Sequence, residues 1–298
     1  MDRADSFSVY NPVINFTFYI FALILCMVNM HPAYVAVSVF FSITYYVTIK
    51  GLKASAKRLL TMGIIFLLIA LLNPVIVQNG DTVLFRCLGR VFTKEALVYG
   101  MCSAGMVISV LMWFSSYNLV MTSDKFMYVF SDLIPSLSLI LTMVLRLVPT
   151  YKKKAEQIAS ARACIGKFSE STSFADKVND GMTVLSSLMS WALEGGVMTS
   201  DSMQSRGYGS GKRTKFSVYS FGKKDVALLA VMGTAIILSI AFMIATSTGI
   251  EFYPVIIFRQ VDSPVFILGI SSYALFLSIP TIINVKENII WHILRSRI

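Results

Sequence analysis

The chain has 298 residues, 56% of them hydrophobic and 14% charged, with a formal net charge of +10 and a positive mean hydropathy. Soluble domains carry about 25% charged residues, so this composition excludes an ordinary soluble enzyme and places long stretches of the chain in lipid. The basic excess alone does not indicate nucleic acid, because cytoplasmic loops of membrane proteins are rich in Lys and Arg.

Val13–Met30 and Ala33–Ile49 are the first two stretches without Lys, Arg, Asp or Glu, each about as long as a bilayer core demands. Leu59–Val77, Leu97–Val120, Val226–Thr246 and Val265–Ile283 repeat the pattern, which predicts about six transmembrane helices. A cleaved signal peptide is disfavoured, since Met1–Asn11 carries Asp2, Arg3 and Asp5 instead of a basic leader. Between the second and third stretches, Lys50, Lys53, Lys57 and Arg58 mark a cytoplasmic connection. His31-Pro32 and Glu251–Asp262 then face outward. Gln78–Ala96 does too, against the grain of Arg86, Arg90 and Lys94. Six spans leave both termini cytoplasmic.

The chain divides into an N-terminal membrane part (1–120), a region at 121–225 and a C-terminal membrane part (226–298). The middle region holds fourteen of the 26 basic and nine of the 16 acidic residues. Ser131–Val148 is apolar and closed by Arg146 and Pro149; it reads either as a seventh span or as a helix in the membrane interface, where Arg146 can snorkel. Tyr151–Gly166 places Ala155, Ile158, Ala159, Arg162 and Ile165 on one helical face, with Gly166 as its stop. Phe174–Met203 carries a second apolar stripe, Val178, Met182, Leu185, Leu188, Met189 and Ala192. Each helix ends in an arginine among small residues, Ala161-Arg162-Ala163 and Ser205-Arg206-Gly207. One such arginine is ordinarily a cation favoured at a helix C-terminus, worth about 0.3–1 kcal/mol. Two, flanked by residues small enough to enter a groove, predict exposed guanidinium groups whose fixed donors match a carboxylate.

Enzyme chemistry is thinly represented. Gly211-Lys212 resembles the end of a Walker A loop, but Arg206 stands where its first glycine belongs and Arg213 where its hydroxyl belongs. The glycines Gly207, Gly209 and Gly211 read as a helix stop and exit, and Lys212–Lys215 as a basic patch for anionic lipid. His31 and His292 lie far apart in sequence, and no metal-ligand spacing or nucleophile motif occurs, so no catalytic residue, cofactor or metal is assigned. Of four cysteines only Cys87 faces outward, which gives no disulfide framework.

Phe114–Gly166 and Trp191–Phe221, with His31-Pro32 and Asn73-Pro74 before them, resemble the transmembrane T component of energy-coupling factor (ECF) transporters. That resemblance implies an all-α polytopic membrane protein with long cytoplasmic coupling helices. It implies a non-catalytic scaffold for ATP-driven uptake of a vitamin or transition-metal ion across the plasma membrane of a prokaryote. The implied partners are two ABC-type ATPases, as a homo- or heterodimer, and a small membrane solute-binding subunit; nucleic acid is not among them. Ala161, Arg162, Ala163, Ser205, Arg206 and Gly207 fall on the family's ATPase-coupling motifs. The first register is open by one position, since some relatives of that family can place the arginine where this chain has Ala163. The competing expectation is a self-sufficient secondary carrier or channel with a cytoplasmic regulatory region.

Overall fold

A computed structural model describes residues 5–77, 82–87, 90–165, 174–211, 219, 221–246, 252 and 264–295. Gly166, Lys212–Lys215 and all of Glu251–Asp262 except Phe252 therefore lie outside the described residues. In chain order the helices are α1 (Pro12–Val28), α2 (Pro32–Lys50), α3 (Leu52–Ile76), α4 (Lys94–Val120), α5 (Ser123–Leu133), α6 (Pro135–Cys164), α7 (Phe174–Ser205), α8 (Lys223–Thr246) and α9 (Pro264–Arg295). Strands β1 (Val83–Cys87) and β2 (Arg90–Thr93) pair antiparallel between α3 and α4. The chain forms two units, one of residues 1–129 with 219–298 and one of residues 130–218.

In the first unit each predicted span is a helix. Five, α2, α3, α4, α8 and α9, are long and apolar enough to cross a membrane, and α1 is apolar over 17 residues. Their contacts fix their directions. Gly100 of α4 sits against Ala70 and Asn73 of α3, and Arg58 donates to Ser115 at 2.8 Å, so α3 and α4 are antiparallel. Gly105 meets Val35, and the Ser38 and Ser109 hydroxyls bond, so α2 and α4 are parallel. The His31–Phe266 and Tyr34–Tyr273 ring contacts set α9 parallel to α2, and Gly269 against Phe242 with Ser272 against Ser239 sets it antiparallel to α8. Alternation of direction along the chain is what repeated membrane crossing requires.

The side-chain pattern is that of a protein in lipid. Leu60, Leu67, Leu71 and Ile76 of α3 and Ile237 and Ile244 of α8 are exposed, whereas Asn15, Ser38, Ser42, Ser109 and Ser116 are buried. Lipid tails are as apolar as leucine, so helices associate through small residues, hydrogen bonds and close packing. An aromatic cluster fills the core: Phe18 lies 5.5 Å from Trp113 and 5.1 Å from Phe276, and Tyr45 stacks on Trp113 at 6.0 Å.

A polar clasp holds the N-terminal segment to one end of this bundle. The Asp5 carboxylate accepts from Tyr45 at 3.1 Å and from the Asn284 amide at 2.5 Å, while Asn284 Oδ1 accepts from the Ser6 backbone at 2.8 Å. Lys125 Nζ donates to the Ser8 carbonyl at 2.6 Å and to the Val120 carbonyl at 3.1 Å. The segment from Asp5 to Ser8, the last turns of α2 and α4 and the far half of α9 thus share one end of the unit.

Three local readings change. The basic connection Lys50–Arg58 is nearly all helix: Gly51, at φ +81°, both ends α2 and starts α3, so Lys53, Lys57 and Arg58 ride on the first turns of α3. The loop Gln78–Ala96, expected to face outward, contains the β1–β2 hairpin. Pro149 does not close a helix. Ser131–Val148 and Tyr151–Gly166 are largely joined in α6, 30 residues long with Pro149 inside it and absent from the helices apolar enough to span. Proline removes one intrahelical donor; the exposed surface of α6 around it leaves the freed carbonyl of Leu145 open to solvation.

Candidate functional site

The second unit is built on α6 and α7, and its contacts place them in antiparallel register. The rings of Tyr151 and Trp191 meet edge to face at 5.6 Å, with Lys154 Nζ 5.3 Å above the Trp191 ring. Eleven residues further along α6 and eleven back along α7, Arg162 Nη2 bonds Asp180 Oδ1 at 3.0 Å. In the other direction a cavity of about 420 Å³ opens between Met143, Arg146 and Leu147 of α6 and Gly195, Gly196 and Thr199 of α7. Gly195 and Gly196 have open space where a Cβ would stand, so this end of the pair is loosely filled.

The two arginine motifs are therefore not brought together. Arg162 lies beside Asp180 near the start of α7, whereas Arg206 follows the end of α7, 26 residues on. At 1.5 Å per residue that separates them by about 39 Å.

The end of α7 follows from Gly207. Its φ of +77° is the left-handed conformation that glycine adopts without steric cost. The Gly207 N–H donates to Gln204 O at 3.0 Å and the Tyr208 N–H to Met203 O at 3.1 Å. Those two bonds form a Schellman cap, in which the last helical carbonyls are satisfied by the residues that leave the helix. Arg206 occupies the cap position and is exposed, as are Ser205 and Gly207. This is the arrangement expected from the sequence.

Arg162 departs from it. Ala161 and Ala163 are exposed, but the Arg162 side chain is only 17% exposed and its partner Asp180 14%. Arg162 Nη1 is closed off from solvent without a hydrogen-bond acceptor among the described residues. A carboxylate from the facing helix has taken one edge of the guanidinium that the sequence places at a free tip. Asp180 is the residue that motif reading misses; its only signal is an acid opposite Arg162 once the two helices are set antiparallel.

The apolar stripe predicted on α7 is exposed except at Leu188 and Ala192, which are half-buried. Val178, Met182, Leu185, Met189, Leu193 and Val197, at helical spacing, are each between 47% and 70% exposed, and α7 buries no residue. Exposed apolar patches of this size commonly mark sites where another apolar surface binds.

A set of helices long and apolar enough to cross a membrane defines a multi-pass membrane protein. Comparison with family models makes it specific: residues 8–218, more than two thirds of the chain, match the cobalt transport protein CbiQ, and the chain belongs to that family, the T component of ECF transporters. No curated protein matches the chain.

Proposed function

We propose that this chain couples two cytoplasmic ABC-type ATPases to a separate solute-binding membrane subunit, for ATP-driven uptake of a transition-metal ion or a vitamin. The family's description favours a metal ion such as cobalt as the cargo. Arg162 and Arg206 are the ATPase contacts, one for each member of the pair, and residues 121–225 form the cytoplasmic coupling region. The exposed face of α7 meets the solute-binding subunit, and both termini lie on the cytoplasmic side.

The observation that carries this reading is the placement of two arginine motifs about 39 Å apart on one helical pair, a spacing suited to two sites and unsuited to one. A guanidinium seated among carboxylates in an ATPase cleft persists through nucleotide-driven closure and pulls its helix with it. Breaking such a buried charged contact costs about 2–5 kcal/mol, enough to uncouple hydrolysis from transport.

The test is to purify the tagged chain in mild detergent from its native membranes and identify its companions by mass spectrometry. Two ATPases and a small hydrophobic subunit are expected, and both ATPases should be lost from Arg162→Glu/Arg206→Glu. Recovery of the chain alone, with solute uptake driven by a gradient and indifferent to ATP, would replace the scaffold by a self-sufficient carrier.

A further inference from the structure

The two arginine tips are chemically alike but not equally available. Arg206 stands exposed on the Schellman cap of α7, with no ion-pair partner among the described residues. Arg162 is turned onto the facing helix and held by Asp180 at 3.0 Å. We propose that Asp180 is an internal stand-in for the ATPase carboxylate. It occupies Arg162 in the undocked chain, so that the α7 tip engages first and the α6 tip engages by exchange of one carboxylate for another. The inference rests on the reading of both arginines as ATPase contacts.

The geometry supports an exchange more than a permanent brace. Only one contact joins the pair, Nη2 to Oδ1, whereas guanidinium and carboxylate can form two parallel bonds. The unused Nη1 is enclosed and has no acceptor among the described residues, a condition that costs free energy while it lasts. An incoming carboxylate that takes both edges removes that cost, so the internal pair yields to a better one. The partial exposure of both side chains leaves a route for the exchange, since neither group has to be dragged from a sealed core. Holding Arg162 on α7 also fixes the α6 tip to its neighbour before docking. The two helices thereby move as one until the second ATPase arrives.

A structural brace and a stand-in make opposite predictions for neutralising Asp180. The experiment measures binding of the full-length chain in detergent to the ATPase pair recovered with the wild-type complex, beside thermal unfolding of each variant. Asp180→Asn is expected to bind the ATPases roughly three- to tenfold more tightly, and Asp180→Ser to do the same should the amide perturb folding. Unchanged or weaker binding in both variants overturns the proposal.

The exchanged pair, Arg162→Asp/Asp180→Arg, separates the roles further. It restores attraction between the helices but offers the ATPase the wrong charge, so it is expected to unfold like wild type and to lose docking at the α6 tip. Wild-type docking by the exchanged pair also overturns the stand-in. If Arg206→Glu abolishes binding while Asp180→Asn gains nothing, the stand-in falls and the coupling reading survives. If Arg162→Glu/Arg206→Glu binds like wild type, the coupling reading falls and takes the stand-in with it.

Discussion

Tyr208 donates its backbone N–H to the carbonyl of Met203 at 3.1 Å, and this bond stops α7 one residue before Arg206 leaves the helix axis. It forms only because Gly207 turns the chain at φ +77°. A Cβ there would also lie 3.2 Å from Ser210 Oγ. Gly207→Ala should therefore cost about 1 kcal/mol at the cap, moving the melting temperature by only a few degrees while ATPase affinity falls. Gly207→Asn, which tolerates the left-handed region better, should recover part of the affinity. Paired melting and binding measurements check this; an alanine variant that binds like wild type would show that the cap does not present Arg206.

The chemistry of the tip gives a second prediction. Lysine keeps the charge of Arg206 but not the planar fork of donors that a carboxylate accepts in two bonds. Arg206→Lys should lose about 1.5 kcal/mol of docking, close to tenfold in affinity, with an unfolding temperature like that of wild type because Arg206 is exposed. Titration of the ATPase pair onto the purified chain reads the affinity. Equal affinity would mean that charge alone is recognised.

The parts of the molecule written in hydropathy were legible. Six uncharged stretches became six helices, and Arg206 was found at an exposed tip, because glycine after a helical run has one dominant physical use. What escaped was set by partners distant in sequence. Pro149 was expected to end a helix, yet a single missing donor on the exposed surface of a 30-residue helix does not stop it. Gly51 carries the whole turn from α2 to α3, so the charges after it belong to a helix. Asp180 lies 18 residues from Arg162, and its role is invisible until α6 and α7 are placed side by side.

Close helix contact in the membrane unit yields a third prediction. A Cβ on Gly100 would stand 2.9 Å from the Ala70 carbonyl oxygen and 3.0 Å from Asn73 Cβ, and the oxygen belongs to backbone that cannot rotate away. Gly100→Val should force α3 and α4 apart, at about 1–3 kcal/mol or more, with a clear loss of melting temperature in detergent. Gly63 of α3 is the internal control, because nothing lies within 4 Å of its Cβ position. Should Gly63→Val and Gly100→Val melt alike, helix propensity and not packing sets the cost.

The N-terminal clasp makes stability depend on pH. Burial raises the Asp5 carboxyl above its ordinary value near 3.8, and the hydrogen bonds from Asn284 and Tyr45 offset only part of that. The folded chain thus holds this proton more tightly than the unfolded chain. Between the ordinary and the raised value the native state binds more protons, so stability must fall as pH rises through that window and stay lower above it. Asp5→Asn keeps the shape of the side chain and removes the titration. Relative to wild type, the variant should therefore gain stability as pH is raised from about 4 to 7, on top of a constant offset from the hydrogen bonds that the amide changes. Thermal unfolding of both proteins across that range is the check. A difference that stays level, or that shifts in favour of wild type with rising pH, would mean that hydrogen bonds outweigh burial at Asp5 and that the clasp is held by a charged carboxylate.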